Sequence, residues 1–132
     1  TGDTVVWLRG KDPGKPTRYK EAVEMIRSLS GDTHRVYTGV CLRSNQKKRS
    51  FYASTEVTFA EMTGREIETY VERYRPYDKA GGYGIQEWIG YIAVEKINGS
   101  YLNVIGLPVQ RVYTELKKMI GSESGRLRDA YP

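Results

Sequence analysis

The sequence contains one cysteine and one histidine, and this scarcity excludes two kinds of site. Cys41 has no second thiol with which to form an internal disulfide bond. Together with His34 it would supply only two of the four ligands that a structural zinc site needs. A chain without disulfides is typical of a reducing compartment, so we predict a cytoplasmic protein. Because no suitable partner accompanies His34 in the sequence, we predict that its role is structural.

Long hydrophobic runs are also missing. A membrane-spanning helix needs about 20 consecutive apolar residues, and the apolar stretches of this chain are far shorter. The first residues do not show the charged-then-apolar pattern of a secretory leader. The chain of 132 residues is long enough for one domain with a sizeable core. We therefore predict a soluble, single-domain protein with no membrane partner.

Negative charge is the weaker sign, since 16 acidic residues face 21 lysines and arginines, which leaves a net charge of +5. Such a balance favours an anionic partner, which could be a nucleic acid, an anionic surface or a small phosphorylated ligand. The run Lys47, Lys48 and Arg49 is the best argument for nucleic acid, although a solubilising hairpin tip explains it equally well. Because no RNP-like or helix-turn-helix pattern is present, nucleic acid is the less favoured partner.

The hydrophobic pattern predicts a mixed α/β domain with a largely antiparallel sheet over residues 1–121, followed by a flexible tail at 122–132. The first strand is predicted to be central and buried, with Asp3 and Thr4 at its start. A capping box formed by Thr63 and Glu66 predicts the start of the second helix. Asn98-Gly99 predicts a tight hairpin. Strands are predicted at 5–8, 35–43, 51–59, 89–97 and 101–105, and helices at 17–29, 63–75 and 108–120.

Two loops carry residues suited to binding phosphate. Asp78 and Lys79 precede a cluster of three glycines, Gly81, Gly82 and Gly84, and such clusters let a backbone approach an anion closely. An exposed ion pair before an ordinary turn is the simpler alternative for the two charges. The cluster does not have the spacing of a dinucleotide-binding fingerprint.

The other loop, DPGKP, contains a Gly-Lys pair, but neither the glycine nor the hydroxyl residue that a P-loop requires accompanies it. Lys15 is therefore either a phosphate-facing ammonium group or a solvated turn lysine. Asp3 has two interpretations as well. It is either a cap residue or a carboxylate that binds a metal ion or takes a proton from water.

Five segments in a fixed order now combine into a resemblance: DTVV, GKP, LSGDTHRVYTGV, DKAGGYGIQ and NVIGLPV. The sequence over residues 1–120 resembles the Maf family of nucleoside triphosphate pyrophosphatases. The resemblance implies an elongated, two-lobed α/β fold like that of inosine triphosphate pyrophosphatases. It also implies a homodimer that uses Mg²⁺ or Mn²⁺ to hydrolyse a nucleoside triphosphate to the monophosphate and pyrophosphate.

The resemblance assigns roles to individual residues. Asp3 matches the proposed proton acceptor, Lys15 a lysine that holds phosphate, and Lys79 with Asp78 the base and acid of the DKAG stretch. Asp3 and Asp78 are then the expected metal ligands. The turn Gly81, Gly82 and Gly84 is expected to direct backbone N–H groups at the ligand.

Thr4 and Gln86 match the residues of the branch that acts on dTTP and UTP. A side-chain amide such as that of Gln86 offers both a donor and an acceptor to the polar edge of a pyrimidine. Normal and modified pyrimidine nucleotides are both open as substrates in a housecleaning role.

The chain departs from the family at its start. It begins at Thr1 without Met, and the family's Ser-x-Arg-Arg motif and a further glutamate are not found before Asp3. We therefore expect the start of the natural domain to be missing. Losing an arginine clamp removes charge-assisted hydrogen bonds to the triphosphate. A non-catalytic basic module that binds nucleic acid or a division partner, and an inactive fragment of the enzyme, are the alternatives.

Overall fold

The computed structural model of the chain describes residues 2–121. Thr1 and the predicted tail at 122–132 lie outside this range. Four strands and five helices are present within it, together with a short 3-10 turn at Ala80–Gly82. In chain order they are β1 Gly2–Trp7, α1 Tyr19–Leu29, β2 Thr33–Arg43, β3 Lys48–Phe59, α2 Gly64–Tyr74, α3 Trp88–Ile92, β4 Val94–Asn98, α4 Tyr101–Ile105 and α5 Val109–Gly121.

The strands form one antiparallel sheet in the order β1-β2-β3-β4, which confirms the predicted mixed α/β class. Within residues 2–121, β1 lies at the edge of the sheet, so the prediction of a central strand is wrong for this part of the chain. Its burial alternates, because Val6 is buried while Trp7 is 40% exposed. An edge strand covered on one face needs apolar residues only at every second position.

A single hydrophobic core joins the sheet to the two long helices that precede and follow the β2–β3 hairpin. Residues of α1 recur at helical spacing and bury Ala22, Val23, Ile26 and Leu29, as the sequence predicts. They share the core with residues of β2 and β3, among them Val36 and Phe59. The predicted helix at 17–29 and the two predicted long strands are therefore confirmed.

Helix α2 begins with the predicted capping box. The Glu66 backbone N–H donates to Thr63 Oγ1 at 3.1 Å, and the Thr63 N–H donates to Glu66 Oε1 at 2.8 Å. The helix ends at Tyr74, and the capping residue Arg75 adopts a left-handed conformation with φ of 45° before Pro76. Ile67, Tyr70 and Val71 form its buried face.

The segment from 88 to 105 differs from the prediction. Residues 88–92 form α3, only 94–98 form a strand, and 101–105 form α4, so the hairpin around Asn98-Gly99 is wrong. Gly99 lies against Thr55, and the Ser100 side chain accepts a hydrogen bond from the Asn103 N–H at 3.3 Å. This cap starts a helix where the apolar pattern alone indicates a strand.

Helix α5 confirms the predicted last helix, but within residues 2–121 several of its apolar residues, among them Val109 and Leu116, are exposed. Tyr113 is 45% exposed, whereas Glu115 is 2% exposed and Met119 is buried. Glu115 forms ion pairs with Arg49, Arg111 and Lys118. This group, the Glu115 cluster, connects the helix to the tip of the β2–β3 hairpin. None of the helices in the described range combines the length and apolarity that crossing a membrane demands.

Candidate active site

One cavity of about 240 Å³ lies where β1, the 12–16 loop, the 78–86 segment and α4 meet. It brings together the four charged residues to which the family resemblance assigns a role, and also both predicted specificity residues. Of the three clustered glycines, only Gly84 lines it. The lining residues are Asp3, Thr4, Val6, Lys15, Val36, Asp78, Lys79, Ala80, Tyr83, Gly84, Ile85, Gln86, Val104 and Ile105.

The charged side chains of this cavity are not paired with one another. Within residues 2–121, Asp3, Lys15, Asp78 and Lys79 take part in none of the ion pairs that the structure forms. Asp3, Lys15 and Asp78 are exposed and Lys79 is half-buried. Two ammonium groups and two carboxylates therefore meet at one concave surface without neutralising each other by direct contact. Such an arrangement can bind a phosphate and a cation at the same time.

The two lysine-bearing loops are fastened to each other. The Gly81 N–H donates to the Gly14 carbonyl at 3.0 Å. Gly14 itself has φ of 72° and donates its N–H to Asp12 Oδ1 at 2.8 Å. These contacts hold the loop that carries Lys15 against the turn that follows Lys79.

The backbone N–H groups of the glycine cluster already have acceptors inside the protein, which differs from the prediction that they are directed at a ligand. The N–H of Gly81 donates to Gly14, that of Gly82 donates to the Lys79 carbonyl at 3.0 Å, and that of Gly84 donates to the Tyr70 hydroxyl at 3.1 Å. All three donors are occupied within the protein. Gly81 and Gly82 are buried away from the cavity.

Steric limits explain why glycine occupies these positions. A Cβ atom at Gly81, whose φ is 72°, would lie 2.9 Å from Val6 Cγ2. At Gly84 a Cβ atom would lie 2.7 Å from Glu87 Oε1 and 3.1 Å from Lys79 Cε. The missing side chains thus let the turn pack against β1 and leave room for the aliphatic part of Lys79.

A buried hydroxyl of helix α2 also supports this turn. Tyr70 is fully buried, and its hydroxyl donates to Glu87 Oε1 at 2.7 Å while accepting from the Gly84 N–H. Burial, reinforced by the neighbouring Glu87 carboxylate, raises the pKa of Tyr70, so the phenol stays protonated and remains a donor. An amphipathic pattern can show that a residue such as Tyr70 is buried, but not which loop it contacts.

A second buried pair consists of His34 and Tyr83, and Tyr83 also lines the cavity. His34 Nε2 and the Tyr83 hydroxyl share a hydrogen bond of 2.6 Å, and both rings pack edge-on against Phe59. Burial lowers the pKa of His34 to about 4, which keeps the imidazole neutral near pH 7. The placement of His34 in the core agrees with the structural role that the sequence predicts for it.

A third polar group joins β1 to α4. Thr4 Oγ1 lies 3.1 Å from Thr38 Oγ1, which lies 3.2 Å from the Asn103 carbonyl oxygen. Thr38 and Asn103 are fully buried. Sequence reasoning missed both. The only available signal was the position of Asn103 at the start of the NVIGLPV segment.

The residues of the cavity fit a divalent cation that is bound partly by the protein and partly by the substrate. Within residues 2–121 no three carboxylate, imidazole or thiol groups cluster as a self-sufficient metal site. Asp3 and Asp78 nevertheless supply two carboxylates to one cavity. Mg²⁺ is commonly held by one or two carboxylates, with the remaining positions filled by water and substrate phosphates.

The basic run at 47–49 takes part in intramolecular contacts. Lys47 Nζ donates to the Met119 carbonyl at 3.3 Å, and Arg49 pairs with Glu115. Two of its three cationic side chains thus stabilise the contact between the hairpin and α5. Because these two side chains are engaged within the protein, the run is less suited to the nucleic-acid contact considered for it.

The chain is similar to known proteins of one family. The model of the Maf-like protein family matches residues 1–119. The chain is 60% identical over 119 residues to a dTTP/UTP pyrophosphatase of Phocaeicola vulgatus, a match that covers 90% of this chain and 62% of that relative. It is 55% identical over 119 residues to the dTTP/UTP pyrophosphatase of Bacteroides thetaiotaomicron, with the same coverage of both chains. The protein of that name from Porphyromonas gingivalis is 56% identical over 117 residues, which cover 89% of this chain and 59% of the relative. The chain thus spans about 62% of the length of the first of these relatives.

Proposed function

Because this chain belongs to the Maf-like protein family, we propose that its cavity is the catalytic centre of a nucleoside triphosphate pyrophosphatase. The substrates are dTTP and UTP, which are converted to the monophosphate and pyrophosphate. The observation that carries the proposal is the convergence on one cavity of Asp3, Lys15, Asp78 and Lys79, which form no ion pair within residues 2–121. The names of the relatives support the choice of substrate.

Asp3 acts as the proton acceptor in this mechanism. Its carboxylate takes a proton from a water molecule as the water oxygen bonds to phosphorus. The anhydride bond between the α and β phosphates then breaks, and pyrophosphate leaves with the bonding electron pair. A positioned general base contributes about 10²- to 10⁴-fold to the rate. The exposed position of Asp3 at the cavity lets the water molecule reach it.

Lys15 and Lys79 neutralise the phosphates. Negative charge builds up on the leaving pyrophosphate as the anhydride bond breaks, and preorganised cations stabilise that charge. The bond between the two loops, from Gly81 to Gly14, keeps the lysines in place before the substrate arrives. Positioning and charge therefore supply most of the acceleration.

Asp78 would hold a divalent cation, Mg²⁺ or Mn²⁺, since both ions prefer oxygen ligands, and Asp3 would be its second ligand if it does not act as the proton acceptor. When bound, the cation supplies further positive charge to the phosphate oxygens. Gln86 and Thr4 contact the nucleobase and select thymine or uracil, because both line the same cavity and both carry polar groups suited to a pyrimidine edge.

We further propose that residues 1–121 form the catalytic domain, with 122–132 as a tail, and that the protein is a cytoplasmic homodimer. The dimer follows from the family resemblance, the tail from the lack of hydrophobic periodicity after Gly121, and the cytoplasmic location from the single cysteine. Sedimentation velocity tests the dimer. A single species with the mass of one chain, at micromolar concentration, would refute it.

The test of the enzymatic proposal is pyrophosphate release and calorimetric binding with dTTP, UTP, CTP and GTP. We expect the chain to bind dTTP and UTP and to release pyrophosphate in the presence of Mg²⁺. The Asp3→Asn variant should lose about 10²- to 10⁴-fold in turnover while still binding nucleotide. Glu24→Gln, a substitution on the exposed side of α1, serves as the matched control and should behave like the parent. Binding without turnover in the parent would identify an inactive fragment, and no binding of any triphosphate would refute the proposal.

A further inference from the structure

The hydroxyl group of Thr4 belongs to a chain of hydrogen bonds whose direction can be worked out. Thr38 Oγ1 lies 3.2 Å from the Asn103 carbonyl oxygen and 3.1 Å from Thr4 Oγ1. A carbonyl oxygen can only accept a hydrogen bond, and a hydroxyl group has a single hydrogen to donate. Thr38 must therefore donate to Asn103. Its contact with Thr4 is then made with an oxygen lone pair.

The Thr4 hydroxyl must in turn donate its single hydrogen to Thr38. Its own oxygen is left with lone pairs only, and Thr4 is half-buried in the cavity wall. We propose that Thr38 and Asn103 are positioning residues that fix Thr4 as a hydrogen-bond acceptor, and that this acceptor selects a nucleobase whose ring nitrogen carries a hydrogen. This inference rests on the nucleotide-binding function proposed above.

Asn103 is held firmly enough to set this direction. Its side-chain Nδ2 donates to the Val36 carbonyl at 3.2 Å and to Thr55 Oγ1 at 2.8 Å. Its backbone N–H donates to Ser100 Oγ at 3.3 Å. Because Asn103 and Thr38 are fully buried, water is not available to replace either partner, and reversing the chain would set two oxygens against each other without a hydrogen between them.

The hydrogen-bonding groups of the bases determine which of them the Thr4 oxygen accepts from. Uracil and thymine carry a hydrogen on N3, which can donate to the Thr4 oxygen. Cytosine has a lone pair on N3, which would face another lone pair. A site built around a hydrogen-bonding group rejects the analogue that cannot satisfy it more strongly than an apolar pocket rejects a change of one methyl group. We therefore expect a preference for UTP over CTP that depends on Thr38.

The experiment compares Thr38→Val with Thr38→Ser. Valine has nearly the shape of threonine but neither donates nor accepts, so the Thr4 hydroxyl becomes free to rotate and donate. Serine keeps the hydroxyl group. The measured quantity is the ratio of kcat/KM for UTP to that for CTP, or the ratio of the two dissociation constants. A merely structural role for Thr38 would change both nucleotides in proportion and leave this ratio unchanged.

We expect the UTP-to-CTP ratio to fall about 10-fold in Thr38→Val, the factor typical of one net hydrogen bond, and to stay at the parent value in Thr38→Ser. An unchanged ratio in a folded Thr38→Val variant would overturn the proposal. So would a parent protein that binds UTP and CTP equally well, although the pyrophosphatase function would then stand. Failure of every triphosphate to bind would refute the proposed function itself, and this inference with it.

Discussion

Two regions of the molecule use charge in opposite ways. In the Glu115 cluster a carboxylate that is 2% exposed contacts three cationic side chains, from Arg49, Arg111 and Lys118. In the cavity, four charged side chains line one surface without such pairs among the described residues. A charge that already contacts its partner stabilises the fold. Charges that converge unpaired are available to a ligand.

The protonation of Glu115 agrees with this distinction. Burial tends to raise its pKa, but Arg111, Arg49 and Lys118 together outweigh burial and hold the pKa of this carboxyl below its usual range. The carboxylate is therefore ionised at neutral pH, with its charge satisfied inside the protein. Composition alone counts these residues and the cavity lysines in the same way.

Among the tests of this distinction between paired and unpaired charges, the largest effect is expected from Lys79→Met. Lys79 supplies a preorganised cation that stabilises the negative charge developing on the phosphate. Its removal should lower kcat/KM for dTTP by about 10²- to 10³-fold. The melting temperature should change little, because Lys79 forms no ion pair in the described residues. Steady-state kinetics and differential scanning calorimetry measure the two quantities.

Arg111→Met is the reciprocal control for Lys79→Met. Arg111 donates from Nε to Glu115 Oε1 at 3.1 Å and lies over the Phe51 ring. Its substitution should lower the melting temperature and leave kcat/KM for dTTP at the parent value. If Arg111→Met lowered turnover as strongly as Lys79→Met in a folded protein, the distinction between the two regions would fail.

A smaller effect should come from pH, through His34 behind the cavity wall. Its pKa in the folded protein is about 4, against an ordinary value of about 6.5 in the unfolded chain. Above pH 6.5 the His34 ring is neutral in both the folded and the unfolded state, so its contribution to the free energy of unfolding is fully present. As the pH falls towards 4, the unfolded chain takes up a proton that the folded protein does not. The free energy of unfolding should therefore fall by about 3 kcal/mol over this window and then level off.

The difference between the denaturation curves of the parent and of His34→Gln isolates this contribution from that of the carboxyl groups. An NMR titration of the His34 ring gives a measurement that does not require the variant to fold. A midpoint near 6.5 would contradict the buried, neutral histidine and would place a titrating charge next to Tyr83.

The smallest effect concerns the glycine turn, where we expect a loss of stability from packing and not from charge. Gly81→Ala places a methyl group 2.9 Å from Val6 Cγ2 at a φ of 72°, and should cost about 1 to 3 kcal/mol. Gly39→Ala is the matched control, since no atom lies within 4 Å of its added Cβ and its φ is not positive. Equal melting temperatures for the two variants would show that the turn relaxes, which would weaken our explanation for Gly81.

Much of the fold could be predicted because its signals are local. Helical spacing located α1, α2 and α5, and alternation located β2 and β3. The segment from 88 to 105 could not be predicted in this way, because α4 depends on Gly99 and Ser100 contacting Thr55, which lies on another strand. Contacts between residues so distant in the sequence leave no periodic pattern.

The candidate site, too, was predictable in part from the sequence. The order of the motifs identified which charged residues to examine, and the structure places all of them in one cavity. The sequence could not reveal that Gly81, Gly82 and Gly84 donate their N–H groups within the protein. It also gave no sign of Tyr70 beneath the turn, or of the link from Thr4 to Asn103.

The sequence by itself therefore determined the α/β class, the ends of the amphipathic helices and the identity of the charged residues, because spacing and side-chain chemistry are properties of the chain alone. Only the tertiary structure decided which charges are paired and which are free, since pairing depends on distances between separate elements. It also decided the direction in which the Thr4 hydroxyl donates, because a shared hydrogen is assigned by the whole set of buried neighbours and not by any one of them.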